Sequence, residues 1–255
     1  MFQRIASVAV LLLPSIMSAA VHGDDWAAVK GRFQFAGDPP AASDLKADKD
    51  VEVCGKHKLV AEELVVGADK GIANIVVYVR SKDVKVKPAA AASGKAVLDN
   101  KGCRFEPHVI FVQTGQEFVI KNSDSVGHNS NVATVKNSPS NNLIPAAGEA
   151  ALKFTSEEAL PAQVTCNIHP WMKAWVVVRP NPYAAISAAD GSFEIKDLPV
   201  GEVELQFWHE KAGYLKDLAF AGGAKTDAKG RLKLKVESAG NDLGAASISG
   251  AAFTK

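Results

Sequence analysis

Val164-Thr165-Cys166-Asn167-Ile168-His169-Pro170-Trp171-Met172-Lys173-Ala174-Trp175-Val176-Val177-Val178-Arg179 reads as strand, tight loop, strand. Val164 to Cys166 has the character of a strand end, and Trp175 to Arg179 that of a strand rich in β-branched residues. Between them, Cys166, His169 and Met172 set a thiol, an imidazole and a thioether at every third position of one loop. The surrounding chain carries no long amphipathic periodicity. Short alternating or apolar runs are broken by Gly, Pro, Asn and Asp, the pattern of a β-sandwich.

Working outward, Val109 to Gln113, Thr114-Gly115-Gln116 and Glu117 to Lys121 read as a hairpin. Residues 122–142 are rich in Asn, Ser and Gly and read mostly as loop. Ile72 to Val79 is almost wholly apolar, which suits a strand covered on both faces. Arg32-Phe33-Gln34-Phe35 alternates, as do Val203, Leu205 and Phe207. Leu232, Leu234 and Val236 alternate with lysines, as on an edge strand. The stretch after Ser238 is small-residue-rich and reads as a loosely held tail.

The chain has 255 residues, 47% hydrophobic and 22% charged, enough for a sizeable core. Lys and Arg total 29 against 28 Asp and Glu, which argues against nucleic-acid binding. Residues 1–20 begin Met-Phe-Gln-Arg, continue with an apolar run and end Ser18-Ala19-Ala20, the pattern of a secretory signal peptide. Its removal leaves no membrane span, so the expected location is periplasmic or otherwise exported. Export also bears on the three cysteines: Cys54 and Cys103 can pair as a disulfide, leaving Cys166 a free thiolate.

The donor types point to a metal. His128 lies upstream in Gly127-His128-Asn129 and adds a second imidazole to Cys166, His169 and Met172. Two His, one Cys and a weak Met make the trigonal, axially extended set of electron-transfer copper. Soft sulfur suits Cu(I), imidazole suits Cu(II), and a rigid site between them lowers the rearrangement per electron. Of the three Met residues, Met1 and Met17 fall in the signal, so Met172 is the only one left in the mature chain. Zinc takes the same donors, but it leaves Met172 without a role and has no second Cys/His pair nearby. His57, His108 and His209 read as structural or surface residues.

These residues resemble the small blue copper proteins, the cupredoxins. The Cys166–Met172 loop is similar to the short form of the amicyanin and pseudoazurin branches. Gly115 to Asp124, followed by His128-Asn129, looks like the strand leading to the first His ligand. The resemblance implies an all-β Greek-key β-sandwich with additional N- and C-terminal strands, and one type 1 copper held by His128, Cys166, His169 and Met172. It implies that Asn129 pins the two ligand loops. It also implies an electron port at His169, Pro170 and Trp171, with a ring edge exposed to transient redox protein partners. A wider resemblance, through Cys54-Gly55-Lys56, Cys103 to Val109, Asn181-Pro182-Tyr183 and Trp208-His209-Glu210, is to a bacterial group called methylamine-utilisation-protein-like. Asp190-Gly191-Ser192-Phe193 to Gly201 resembles a turn-and-strand unit of transthyretin-like sandwiches.

The expected organisation is a signal peptide over 1–20 and N-terminal strands over 24–88 packed on the sandwich. The copper core follows over 89–180, then transthyretin-like strands over 181–215, and a C-terminal edge strand and tail over 216–255. The expected function is one-electron transfer. Copper holding or delivery, and a non-redox structural role in the cell envelope, are the alternatives. An enzyme is least expected, because no second well-formed donor set is evident.

Overall fold

The computed structural model describes residues 25–81, 83–88 and 93–254; the proposed signal segment lies outside them. The described chain is all-β apart from single helical turns. Four sheets pair into two sandwiches, each with its own core.

The first sandwich spans 96–179. One sheet runs Val109–Gln113, Lys173–Arg179, Ala162–Thr165, His128–Ala133, Ser140–Ile144 in spatial order. The other runs Phe105–Glu106, Ala96–Asn100, Glu117–Asn122, Glu149–Lys153. Leu98, Ile110, Val112, Phe118, Ile120, Val164, Val176 and Val178 fill the space between them. The expected hairpin at Thr114-Gly115-Gln116 is corrected here. Val109–Gln113 pairs in parallel with Lys173–Arg179, whereas Glu117–Asn122 pairs with Ala96–Asn100 and Glu149–Lys153. Ile110 and Val112 meet Phe118 and Ile120 across the core, not along one sheet, because both runs bury their apolar face in the same space. Gly115, at φ +83, supplies the turn that changes sheets.

Residues 122–142, read mostly as loop, in fact hold the strand His128–Ala133 and the start of its antiparallel partner Ser140–Ile144. Propensity fails because Asn129 and Asn141 are engaged in hydrogen bonds at the site, and tertiary pairing overrides composition. The turn after this first strand is held by Glu158. Its carboxylate accepts N–H bonds from Val135 at 3.1 Å, Lys136 at 2.9 Å and Asn137 at 3.0 Å, and one from Asn137 Nδ2 at 2.8 Å. Burial alone would raise the Glu158 pKa; the bonds from Asn137, Val135 and Lys136 outweigh it and hold the group below the usual glutamate range. A folded pKa below the unfolded one stabilises above the unfolded value, and that stabilisation is lost as pH falls through the folded value. Glu158→Gln is therefore expected to cost about 1–3 kcal/mol at neutral pH and less near pH 3, read from denaturant midpoints at both.

The second sandwich joins both ends of the chain. Trp26–Ala36 lies between Ser192–Pro199, antiparallel, and Asn241–Ser249, parallel. Its facing sheet contains Ala184–Ile186, Val76–Val79, Gly201–His209 and Gly213–Tyr214, with Arg231–Val236 at an edge. Thus the N-terminal strands pair with the C-terminal half and not with the first sandwich. The stretch after Ser238 is likewise a paired strand, not a loose tail. Leu243, Ala246, Ile248 and Phe253 are buried, and small neighbours allow the close approach. Val76–Val79 is covered on both faces: Val77 and Val79 face the second core, while Val76 and Tyr78 meet Val109, Val177 and Trp208 between the sandwiches.

Candidate metal centre

Ala162–Thr165 pairs antiparallel with His128–Ala133, with Thr165 opposite Asn131. That register brings the start of one strand and the end of the other to the same edge of the sandwich, with His128 beside Cys166. The loop after Cys166 is closed by its own backbone: Met172 N–H donates to His169 O at 2.9 Å, and Cys166 N–H donates to Met172 O at 3.3 Å. This folds His169 back over Cys166, and His169 N–H lies 3.3 Å from the Cys166 sulfur.

The structure brings His128, Cys166 and His169 together, all buried, with one donor atom of each within 4.8 Å of the others. The two Nδ1 atoms are 2.9 Å apart, and Cys166 Sγ is 3.7 Å from His169 Nδ1. Met172 is buried in the same core cluster as Cys166. Asn129 Oδ1 accepts from Asn167 N–H at 2.6 Å and Ile168 N–H at 3.2 Å, and lies 3.4 Å from Cys166 Sγ. Its Nδ2 donates to Asn141 Oδ1 at 2.6 Å. Asn129 thus ties the His128 strand to the Cys166 loop.

Two residues that sequence reading missed face the outer nitrogens. His128 Nε2 is 2.9 Å from Asp124 Oδ2, and His169 Nε2 is 2.8 Å from Asp50 Oδ2. An ionised carboxylate only accepts hydrogen bonds, so both rings carry their proton on Nε2. Neutral rings in this tautomer aim two Nδ1 lone pairs at each other at hydrogen-bond distance. Burial, then the neighbouring His169, lower the His128 pKa despite Asp124. A metal ion resolves the conflict: two imidazole lone pairs and a cysteine sulfur converge at separations suited to bonds of about 2.0–2.3 Å. The residues therefore fit a borderline-soft cation such as copper.

The expected electron port is corrected on one point. His169 is 0% exposed, so it shows no ring edge to solvent. Segment 43–61 lies over it, closed on itself by Leu45 N–H to Leu59 O and Ala61 N–H to Ser43 O, both 2.9 Å. The Cys54–Cys103 disulfide, with Cα atoms 5.4 Å apart, fastens this cover to the first sandwich. Leu45, Ala47, Val53, Leu59 and Val126 pack around it with Trp171. Trp171 is partly exposed, sits 5.1 Å from the His169 ring and donates Nε1–H to Cys103 O at 2.9 Å; Pro170 is exposed.

The other described histidines lie apart. His209 is packed against Phe253, accepts from Lys211 N–H at 3.2 Å, and burial holds its pKa at about 4. His108 pairs with Glu210, whose other oxygen accepts Trp175 Nε1–H at 2.8 Å. His57 is exposed. Asp124 had a weak signal, being four residues before His128; Asp50 had none.

No family model matches the chain, and no curated protein matches it. Partial likenesses exist among solved structures. A Cu-containing nitrite reductase from Thermus scotoductus SA-01 gives a TM-score of 0.31 at 22% identity, over 37% of this chain and 27% of that one. A reduced amicyanin mutant gives 0.30 at 21% identity, over 40% of this chain and 97% of that one. A purple cupredoxin from Nitrosopumilus maritimus gives 0.28 at 18% identity, over 34% and 99%.

Proposed function

We propose that the protein is an exported type 1 copper protein that carries single electrons between redox partners. The observation that carries this reading is the meeting of two carboxylate-anchored imidazoles, through Nδ1, with the only free cysteine among the described residues. Copper bound there supplies a one-electron couple. The protein's part is to hold both rings in one tautomer, keep the thiolate dry and fix the loop through Asn129. A rigid donor set changes little between oxidation states. The disulfide, and the absence of any described helix long and apolar enough to cross a membrane, are compatible with export.

Met172, buried in the same cluster as Cys166, would supply a weak thioether donor to copper held there. Met172→Leu is expected to retain the colour and raise the reduction potential, because a donor favouring Cu(II) is removed; spectroelectrochemistry of the copper-loaded protein checks the sign. The burial of His169 favours a second reading, copper holding. The two separate by experiment. Absorption and electron paramagnetic resonance of the copper-loaded chain should give an intense blue thiolate band and narrow copper hyperfine splitting for a carrier. A colourless protein that prefers zinc rejects it, and a blue form that yields copper readily to chelators favours delivery.

A further inference from the structure

The centre has an unusual cover. Segment 43–61 belongs to neither sandwich's sheets except through the single bridge Asp44–Val60 within itself. Its one helical turn, Val51–Cys54, begins at Asp50, whose backbone is left-handed at φ 44 and ψ 45. Non-glycine residues adopt this region uncommonly, Asp and Asn more readily than others. Here Asp50 O accepts both Val53 N–H at 2.9 Å and Cys54 N–H at 2.8 Å, which fixes the bend. The bend brings Oδ2 of the carboxylate onto His169 Nε2 at 2.8 Å, while the side chain remains partly open to solvent. Strained positions held by their surroundings cluster at sites with a role.

The far end of the disulfide has the matching arrangement. Cys103, also left-handed at φ 55, donates its N–H to Asp124 Oδ2 at 2.8 Å, and Gly102 N–H donates to Asp124 Oδ1 at 2.6 Å. Asp124 in turn holds His128 Nε2. One covalent bond, Cys54–Cys103, therefore joins the turn that carries Asp50 to the loop whose N–H groups hold Asp124.

We infer that Asp50 is a positioning residue, pressed onto His169 by the disulfide-fastened cover so that both imidazoles are anchored by anions and His169 has no water-facing edge. Its redox consequence rests on the copper reading above; its effect on the His169 tautomer does not. Two buried or half-buried negative charges beside the rings favour Cu(II) over Cu(I) and so lower the potential. Anchoring of this kind also raises metal affinity, and its loss typically costs about 10- to 100-fold.

The test uses the full mature chain with Asp50→Asn, Asp50→Gly and, as a control, Glu52→Gln. Asn tolerates the same backbone and can still accept from Nε2–H without the charge. Gly removes the carboxylate without straining φ 44. Glu52 is an exposed acid in the same turn. In the metal-free protein, nitrogen NMR should show one Nε2–H tautomer for His169 in the parent and Asn variant, and mixed tautomers in the Gly variant. In the copper-loaded protein, both Asp50 variants should raise the potential. Only Asp50→Gly should lower copper affinity against a competing chelator, by about 10- to 100-fold. Glu52→Gln should match the parent. An unchanged tautomer and potential in Asp50→Gly overturn the inference. A parent without a blue band, but with a tautomer that depends on Asp50, removes the copper reading and leaves the positioning role standing.

Discussion

Cys166→Ser is expected to abolish the blue absorption of the copper-loaded protein. The band requires a thiolate bound to copper, and no other free sulfhydryl exists among the described residues. Cys54 and Cys103 are joined to each other and cannot substitute. The fold should survive, because Asn129 Oδ1 still receives Asn167 and Ile168 N–H, and a buried hydroxyl in place of the thiol costs about 1–3 kcal/mol. Copper held there by nitrogen and oxygen donors alone gives only weak, broad visible absorption. The absorption spectrum of copper-loaded Cys166→Ser is the measurement. A blue band of parental intensity contradicts the assignment of Cys166.

The second large effect is on stability. Cys54 and Cys103 close a loop with a sequence separation of 49. In the chain-entropy model a loop of that size stabilises the fold by about 4 kcal/mol. The double variant Cys54→Ser, Cys103→Ser avoids leaving a lone thiol, and it should lose most of that. It also places two hydroxyls in the small cluster of Leu59, Val53 and Trp171, which adds to the loss. Urea denaturation of parent and double variant in the metal-free form reads the difference. A loss below about 1 kcal/mol would show that the cover contributes little cross-link stabilisation in the native chain.

The meeting of Cys166 and His169 with His128 was legible because its chemistry is local. Cys166, His169 and Met172 sit on one loop, and the only other requirement was an imidazole from a neighbouring strand. The sandwich class was legible for a similar reason, since alternation in Val203, Leu205 and Phe207 reflects a face buried in the second core. What stayed hidden depends on pairing between distant segments. A strand–turn–strand pattern looks the same whether the turn closes a hairpin or crosses between sheets, so Val109–Gln113 and Glu117–Asn122 misled. The strand His128–Ala133 was masked by its Asn and Ser residues, of which Asn129 ties the two loops of the site. Ala246 and Ile248 pair with Phe33 and Phe35 from the opposite end of the chain, a contact no local pattern encodes.

Asp50 was the least visible residue of the site. Nothing in Asp48-Lys49-Asp50-Val51 distinguishes it from a solvated charge. Its role comes from the left-handed bend and the disulfide four residues later, both of which need the folded chain. The same cover explains why the expected open edge of His169 is absent. The likeness of the ligand loop carried no information about a segment that precedes it by more than one hundred residues.

X-ray absorption at the copper edge, on the copper-loaded protein, tests the central claim most directly. The account predicts one short copper–sulfur bond and two copper–nitrogen bonds of imidazole type, with little change in either on reduction. A shell of oxygen and nitrogen alone, with no short sulfur, would contradict it.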